Sequence, residues 1–135
     1  MPQKQPEDPR EAEALALAQK GIEAGADGHH AEAAKHWEGA SDYADAHLPG
    51  ADIDYWIKSG FGAALYEIGA YERSIAVSKI ALDWCSSHKA PLPALSMAKS
   101  YRRLGDDAMA QTYLDHARGL VGDAAIEDWI ASTGG

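Results

Sequence analysis

The sequence predicts an all-α chain assembled from three helix pairs. The clearest sign is a signature of small residues that recurs in the same order at offsets 0, 7, 12, 16 and 19. It reads Gly21, Gly28, Ala33, Trp37 and Ala40, then Gly62, Gly69, Ser74, Ser78 and Ala81, then Ala98, Gly105, Ala110, Leu114 and Ala117. The glycine at offset 7 is suited to ending a helix in the left-handed conformation, and the positions after it recur at helical spacing. Composition is the second sign: alanine-rich periodic sequence with a single phenylalanine and no strand-like run argues against a sheet. Length is the third, because 135 residues make an ordinary single domain.

Residues 1–7 are proline-rich and polar and are expected to form a disordered tail, with one domain over 8–135. Helix is predicted to begin at Asp8, with Pro9 in the first helical position and Glu11 completing a capping box. The first pair covers about 14–47, and its second helix runs on through Tyr43 and Ala46 until Pro49 and Gly50 stop it. In the middle pair, about 55–86, Gly62 and Ala81 let two helix backbones approach, while Phe61, Leu65, Ile75 and Leu82 supply apolar area. Pro91 and Pro93 forbid helix continuation after Ser87 and favour an extended link to the third pair, about 91–122. Residues 123–131 read as a short seventh helix with Ala124, Ile126, Trp129 and Ile130 on its buried face. A stack of helix pairs exposes the apolar face of its last unit, so a covering helix is expected there. Trp37 and Trp129 are both expected to serve packing rather than ligand contact.

Three copies in phase, with Tyr66 and Tyr71 at characteristic aromatic positions, resemble the tetratricopeptide repeat. The resemblance spans most of the chain and implies an α-α superhelix of three antiparallel helix pairs with a short capping helix. The spacing of the copies, 41 residues from Ala33 to Ser74 and 36 from Ser74 to Ala110, exceeds the family unit of about 34. There are departures in residue type as well. Lys20 and Glu23 stand where apolar residues belong, Ser78 replaces a large residue, Ser86 replaces the closing proline, and Asp107 replaces the turn aromatic.

In that family the first helix of each pair lines a concave surface that binds other proteins. The resemblance therefore implies a groove formed by Gln19 and Ile22, then Trp56, Ser59, Gly60, Ala63 and Tyr66, then Leu92, Ser96, Lys99, Arg102 and Arg103. Such a face is apolar and aromatic in the middle and basic at one end. Ala18, Ile22 and Gly60 occupy positions where the carboxylate-clamp subgroup places lysines and asparagines, so a chaperone-type carboxyl-terminal peptide is not the expected ligand. The implied work is that of an adaptor or chaperone holding an extended or helical partner segment, with Trp56 as its energetic anchor.

The net charge of -9 argues against nucleic acid and anionic membrane as partners. Residues 1–50 hold ten acidic and four basic side chains, whereas residues 51–100 hold five of each. That asymmetry supports an alternative: an acidic inhibitor or immunity-type protein that covers a basic partner through its amino-terminal half. A third reading is a self-associating unit whose groove is filled by a second copy.

Catalytic chemistry is not expected. The chain has no glycine-rich phosphate loop, nucleophile elbow or zinc-protease motif, and Cys85 with His88 lacks a third orienting group. His29, His30 and His36 lie close in sequence, with Glu32 one turn before His36, but a zinc site needs three or four converging ligands. No metal or cofactor is therefore expected. The absence of a long apolar stretch or a signal-like amino terminus, together with a lone cysteine, makes the cytoplasm the expected location.

Overall fold

The computed structural model describes residues 8–133, apart from the side chain of Thr133. The expected tail over 1–7 lies outside the described residues. Seven helices follow in order: α1 Pro9–Ala26, α2 His30–His47, α3 Asp52–Glu67, α4 Tyr71–Ser87, α5 Leu92–Arg103, α6 Asp107–Val121 and α7 Asp123–Thr133. No strand occurs among the described residues. Consecutive helices pack in pairs, α1 on α2, α3 on α4 and α5 on α6, and each pair packs on the next. The odd-numbered helices also touch one another, α1 with α3 and α3 with α5. That adjacency makes them one continuous face.

One turn chemistry closes every pair. Gly28, Gly69 and Gly105 take φ of +80°, +83° and +86°, a region that glycine enters without the steric cost a Cβ brings. The amide of the residue after each glycine donates to the carbonyl five residues back: His29 to Ala24, Ala70 to Leu65 and Asp106 to Tyr101, each at 2.9 Å. This is the hydrogen-bond pattern that satisfies carbonyls left open at a helix end. The link between α4 and α5 uses the same device rather than the expected extended segment. Lys89 stands in for glycine at φ +59°, and Ala90 N donates to Cys85 O at 2.8 Å. Pro91 then sits at φ -85°, ψ -4°, in the helical region. Helix α4 ends at Ser87 and a left-handed lysine folds the link tightly, while Pro93 lies in the first turn of α5 instead of in an extended link.

The first cap also differs from expectation. Asp8 accepts the Arg10 amide at 2.9 Å and grips the same residue's guanidinium at 2.6 Å, so the cap closes on Arg10 rather than through a reciprocal Glu11. Both contacts hold the Asp8 carboxyl below its usual range, the side-chain bond most strongly.

Small residues set the helix spacing. Ala14, Ala18, Ala40, Ala44, Ala81, Ala94 and Ala117 are completely buried. Ser74, likewise buried, donates its hydroxyl to the Gly62 carbonyl across α3 and α4 at 2.6 Å, and a Cβ on Gly62 would overlap the Ser78 side chain. Ser78, which departs from the repeat pattern, thus fits together with Ser74 against the bare α3 backbone at Gly62. One apolar cluster joins α1, α2 and α3 around Trp37, Ile57, Phe61 and Leu65. Another joins α5, α6 and α7 around Leu95, Leu114 and Ile126. Trp37 is a core residue, as expected. In α7, Ile126 is buried and Trp129 and Ile130 are partly buried, but Ala124 faces solvent, which corrects its expected place on the covered side.

Ala81 and Ala117 leave no room beyond a methyl group. Ala81→Trp or Ala117→Trp should lower stability by about 1 to 3 kcal/mol or more, because an indole there must push two helices apart. A thermal melt followed by circular dichroism reads the effect, and an unchanged midpoint would contradict the close approach.

Candidate partner-binding groove

Helical spacing places Trp56, Gly60, Ala63 and Glu67 along one stripe of α3, flanked by Ile22 of α1 and Leu92 of α5. A hollow of about 370 Å³ lies between α1 and α3 and takes its lining from Ile22, Trp37, Gly60, Ala63, Glu67 and Leu92 among others. A second hollow of about 200 Å³ shares Ala63, Glu67 and Leu92 with it and continues to Tyr66, Ser96, Lys99 and Trp129. Together they form one groove crossing α1, α3, α5 and α7. Ile22 and Leu92 are 41% and 42% exposed, large apolar side chains facing water along a concave surface.

Glycine gives the groove its depth. The Trp37 indole rises from α2 between α1 and α3, and a Cβ added to Gly21 would come within 2.8 Å of it. One added to Gly60 would overlap its far edge. Both helices therefore lie directly against the ring faces and edges, leaving only backbone and short side chains above it.

At the basic end, the Lys99 ammonium sits over the Tyr66 ring at 4.4 Å and the Trp129 ring at 5.3 Å from the centroids. These contacts hold a cation against aromatic faces without a carboxylate. The Tyr66 hydroxyl bonds the Arg103 guanidinium, the main influence holding that side chain above its already high pKa. Lys99 and Arg103 thus converge on Tyr66. Arg102 is exposed near the end of α5 and lines none of the hollows described here.

Seven of the twelve predicted groove residues come together, whereas Gln19, Trp56, Ser59, Arg102 and Arg103 do not line the joined hollows. Ile22, Gly60, Ala63, Tyr66, Leu92, Ser96 and Lys99 share the two joined hollows. Gln19 is exposed on α1 but lines neither. Ser59 is 5% exposed and points into the α3–α4 contact, where its hydroxyl bonds the Cys85 thiol. Burial pushes that thiol's pKa up, and the Ser59 bond only partly opposes it. Trp56 is 37% exposed, yet it occupies a separate notch of about 280 Å³ with Leu15, Asp52, Ile53 and Trp84. It meets Trp37 edge to face at 5.7 Å, so the two tryptophans form the wall between notch and groove.

Sequence reasoning missed several groove residues. Trp37 was read as core and Trp129 as cap, and both assignments hold, but each also contributes a surface to the groove. Glu67 carries no signal of its own beyond lying four residues after Ala63 on the same stripe.

Cys85 is buried, and His88 stacks on Trp84 at 4.0 Å while Nδ1 contacts the Trp84 carbonyl, so the two side chains do not form a dyad. No cluster of three or more metal-ligating side chains occurs among the described residues. No helix there is long and apolar enough to cross a membrane.

No protein-family model matches the chain. No curated protein and no solved structure matches it either. The groove must therefore be interpreted from its own geometry.

Proposed function

We propose that this chain is a tetratricopeptide-like protein-interaction module, without enzymatic activity, that holds a segment of another protein in the groove across α1, α3 and α5. The observation that carries the reading is the pair of joined hollows, with Ile22 and Leu92 exposed at their rims. Large apolar residues grouped in a concave surface mark a binding site more often than scattered ones do. The in-phase small residues, the shared left-handed turns and the adjacency of odd-numbered helices support the repeat assignment. The role proposed for such a surface is that of an adaptor or chaperone.

Capture of partners on the immobilised chain, compared with Ile22→Glu and Leu92→Glu variants, tests the proposal. A protein retained by the wild type and lost by both variants supports it. Retention that ignores both charges overturns it. Trp56→Ala, which removes the support that Trp56 gives the Trp37 ring, should weaken the same complex, mainly through faster dissociation.

The acidic-inhibitor reading has one specific observation behind it: Glu32, Glu38 and Asp42 are all exposed on α2, away from the groove lining. Under that reading Trp56→Ala leaves affinity unchanged, while neutralising these three carboxylates or raising ionic strength slows association steeply. Self-association predicts instead a mass that rises with concentration in light scattering and falls in the Leu92→Glu variant.

A further inference from the structure

The larger hollow has three chemical features that an apolar docking groove does not require. Its floor is an indole ring lodged between helices at Gly21 and Gly60, deep and without a side chain above it. Trp37 is 8% exposed, and its N–H, which donates to no acceptor among the described residues, still reaches solvent. A ligand carbonyl can take over such a donor from water. That nitrogen lies on the Gly21 side of the well, where a Cβ would stand 2.8 Å from it. The third feature is Glu67, an exposed carboxylate on the rim that makes no hydrogen bond or ion pair within 4 Å among the described residues. The Arg103 guanidinium feels it through space, as the last of the influences on that side chain.

Taken together, the well offers an apolar cavity, an indole donor satisfied only by solvent, and an exposed rim carboxylate without an ion pair among the described residues. Building on the groove reading, we propose that it binds a bulky apolar residue of the partner segment that carries or adjoins a positive charge, with a carbonyl of that segment accepting the Trp37 N–H. The volume of about 370 Å³ falls at the lower end of small-ligand sites. A protein with a net charge of -9 draws such a cation from a distance as well. The neighbouring hollow shares Glu67 but adds the Lys99 ammonium, already seated on the Tyr66 and Trp129 rings, which disfavours a second cation there.

Three probes with the same benzyl group and different charge test this: phenylalaninamide, a cation with a carbonyl; neutral N-acetylphenylalaninamide; and anionic 3-phenylpropanoate. Each is titrated into the nitrogen-15-labelled chain, with the Trp37 indole N–H and the Gly21 and Gly60 amides as reporters. Phenylalaninamide should shift all three and bind most tightly. Glu67→Gln should weaken it about two- to fivefold, the scale of one exposed ion pair, and leave the acetylated probe unchanged. Ala63→Leu, which fills the shared rim, should abolish both responses while the thermal midpoint is retained. Equal affinity for all three probes, indifference to Glu67→Gln, binding that survives Ala63→Leu, shifts centred on Tyr66 and Lys99, or no saturable shift would each overturn the inference. A partner captured through Ile22 and Leu92 by a chain that fails to bind phenylalaninamide refutes this site alone. A probe that binds as described to a chain that captures no partner refutes the broader function instead.

Discussion

Replacing Trp37 by alanine should cost about 3 to 5 kcal/mol, the range for deleting a large aromatic from a packed core, and lower the melting midpoint by about 10 to 20 °C. The expectation is specific to the way the ring is held. Trp37 spans α1 and α3 across Gly21 and Gly60 and touches Trp56 edge to face, so no neighbouring side chain is placed to fill its space. Gly60→Ala gives a sharper version of the test. In an ordinary helix interior that change stabilises by about 0.5 to 1 kcal/mol, because alanine loses less backbone entropy on folding. Here the new Cβ would overlap the indole, so the sign should reverse in the wild type. In the Trp37→Ala background the obstacle is gone, and the same substitution should become neutral or stabilising. A double-mutant cycle by thermal or urea denaturation measures that coupling. Additive effects would mean that the ring does not depend on a bare α3 backbone.

The second large effect is expected at Lys58. Its side chain is 7% exposed, with Nζ 2.7 Å from Asp54 and 2.8 Å from Asp45. Asp54, equally buried, also accepts the Gly50 amide at 3.1 Å and so fixes the turn that enters α3. Burial is the strongest single influence on the Lys58 ammonium and disfavours its charge, yet the two carboxylates together outweigh it and raise the pKa. Lys58→Met should therefore cost about 3 to 5 kcal/mol by leaving Asp54 buried without its cation. Adding Asp54→Asn should recover much of the loss, since an amide oxygen can still accept from Gly50 while no buried charge remains.

The pair also sets a pH dependence. Because the folded pKa of Lys58 is the higher one, its contribution is fully present below the unfolded value of about 10.4 and is lost as pH rises through the folded value. Cys85 and Tyr101 are raised by burial too and weaken the fold in alkali in the same sense. The difference between wild-type and Lys58→Met stability curves isolates the lysine. That difference should shrink above about pH 10; a constant gap would show that Lys58 acts through packing alone.

Local sequence determined a large part of this protein. Glycines at offset 7 and small residues at helical spacing identify helices and their stops directly, since the φ > 0 turn and the close backbone approach each restrict which residue can stand there. The seven helices and the burial of Trp37, Ala81, Ala117 and Ile126 are legible on that basis. What the sequence left open depends on distances between residues far apart in the chain. Nothing local distinguishes Ser59, turned towards Cys85, from Ala63, turned into the groove, because both lie on the inner half of the same helix. Lys89 gives no warning that it will take a glycine's place in a turn. Lys58 reads as an ordinary helix-surface lysine until α2 brings Asp45 to it, 13 residues away in sequence. The hollow lined by both the Trp37 indole and Glu67 likewise exists only once α1, α2 and α3 meet. Periodicity and turn chemistry are properties of short segments, whereas hydrogen-bond satisfaction, charge pairing and cavity shape belong to the packed assembly of helices.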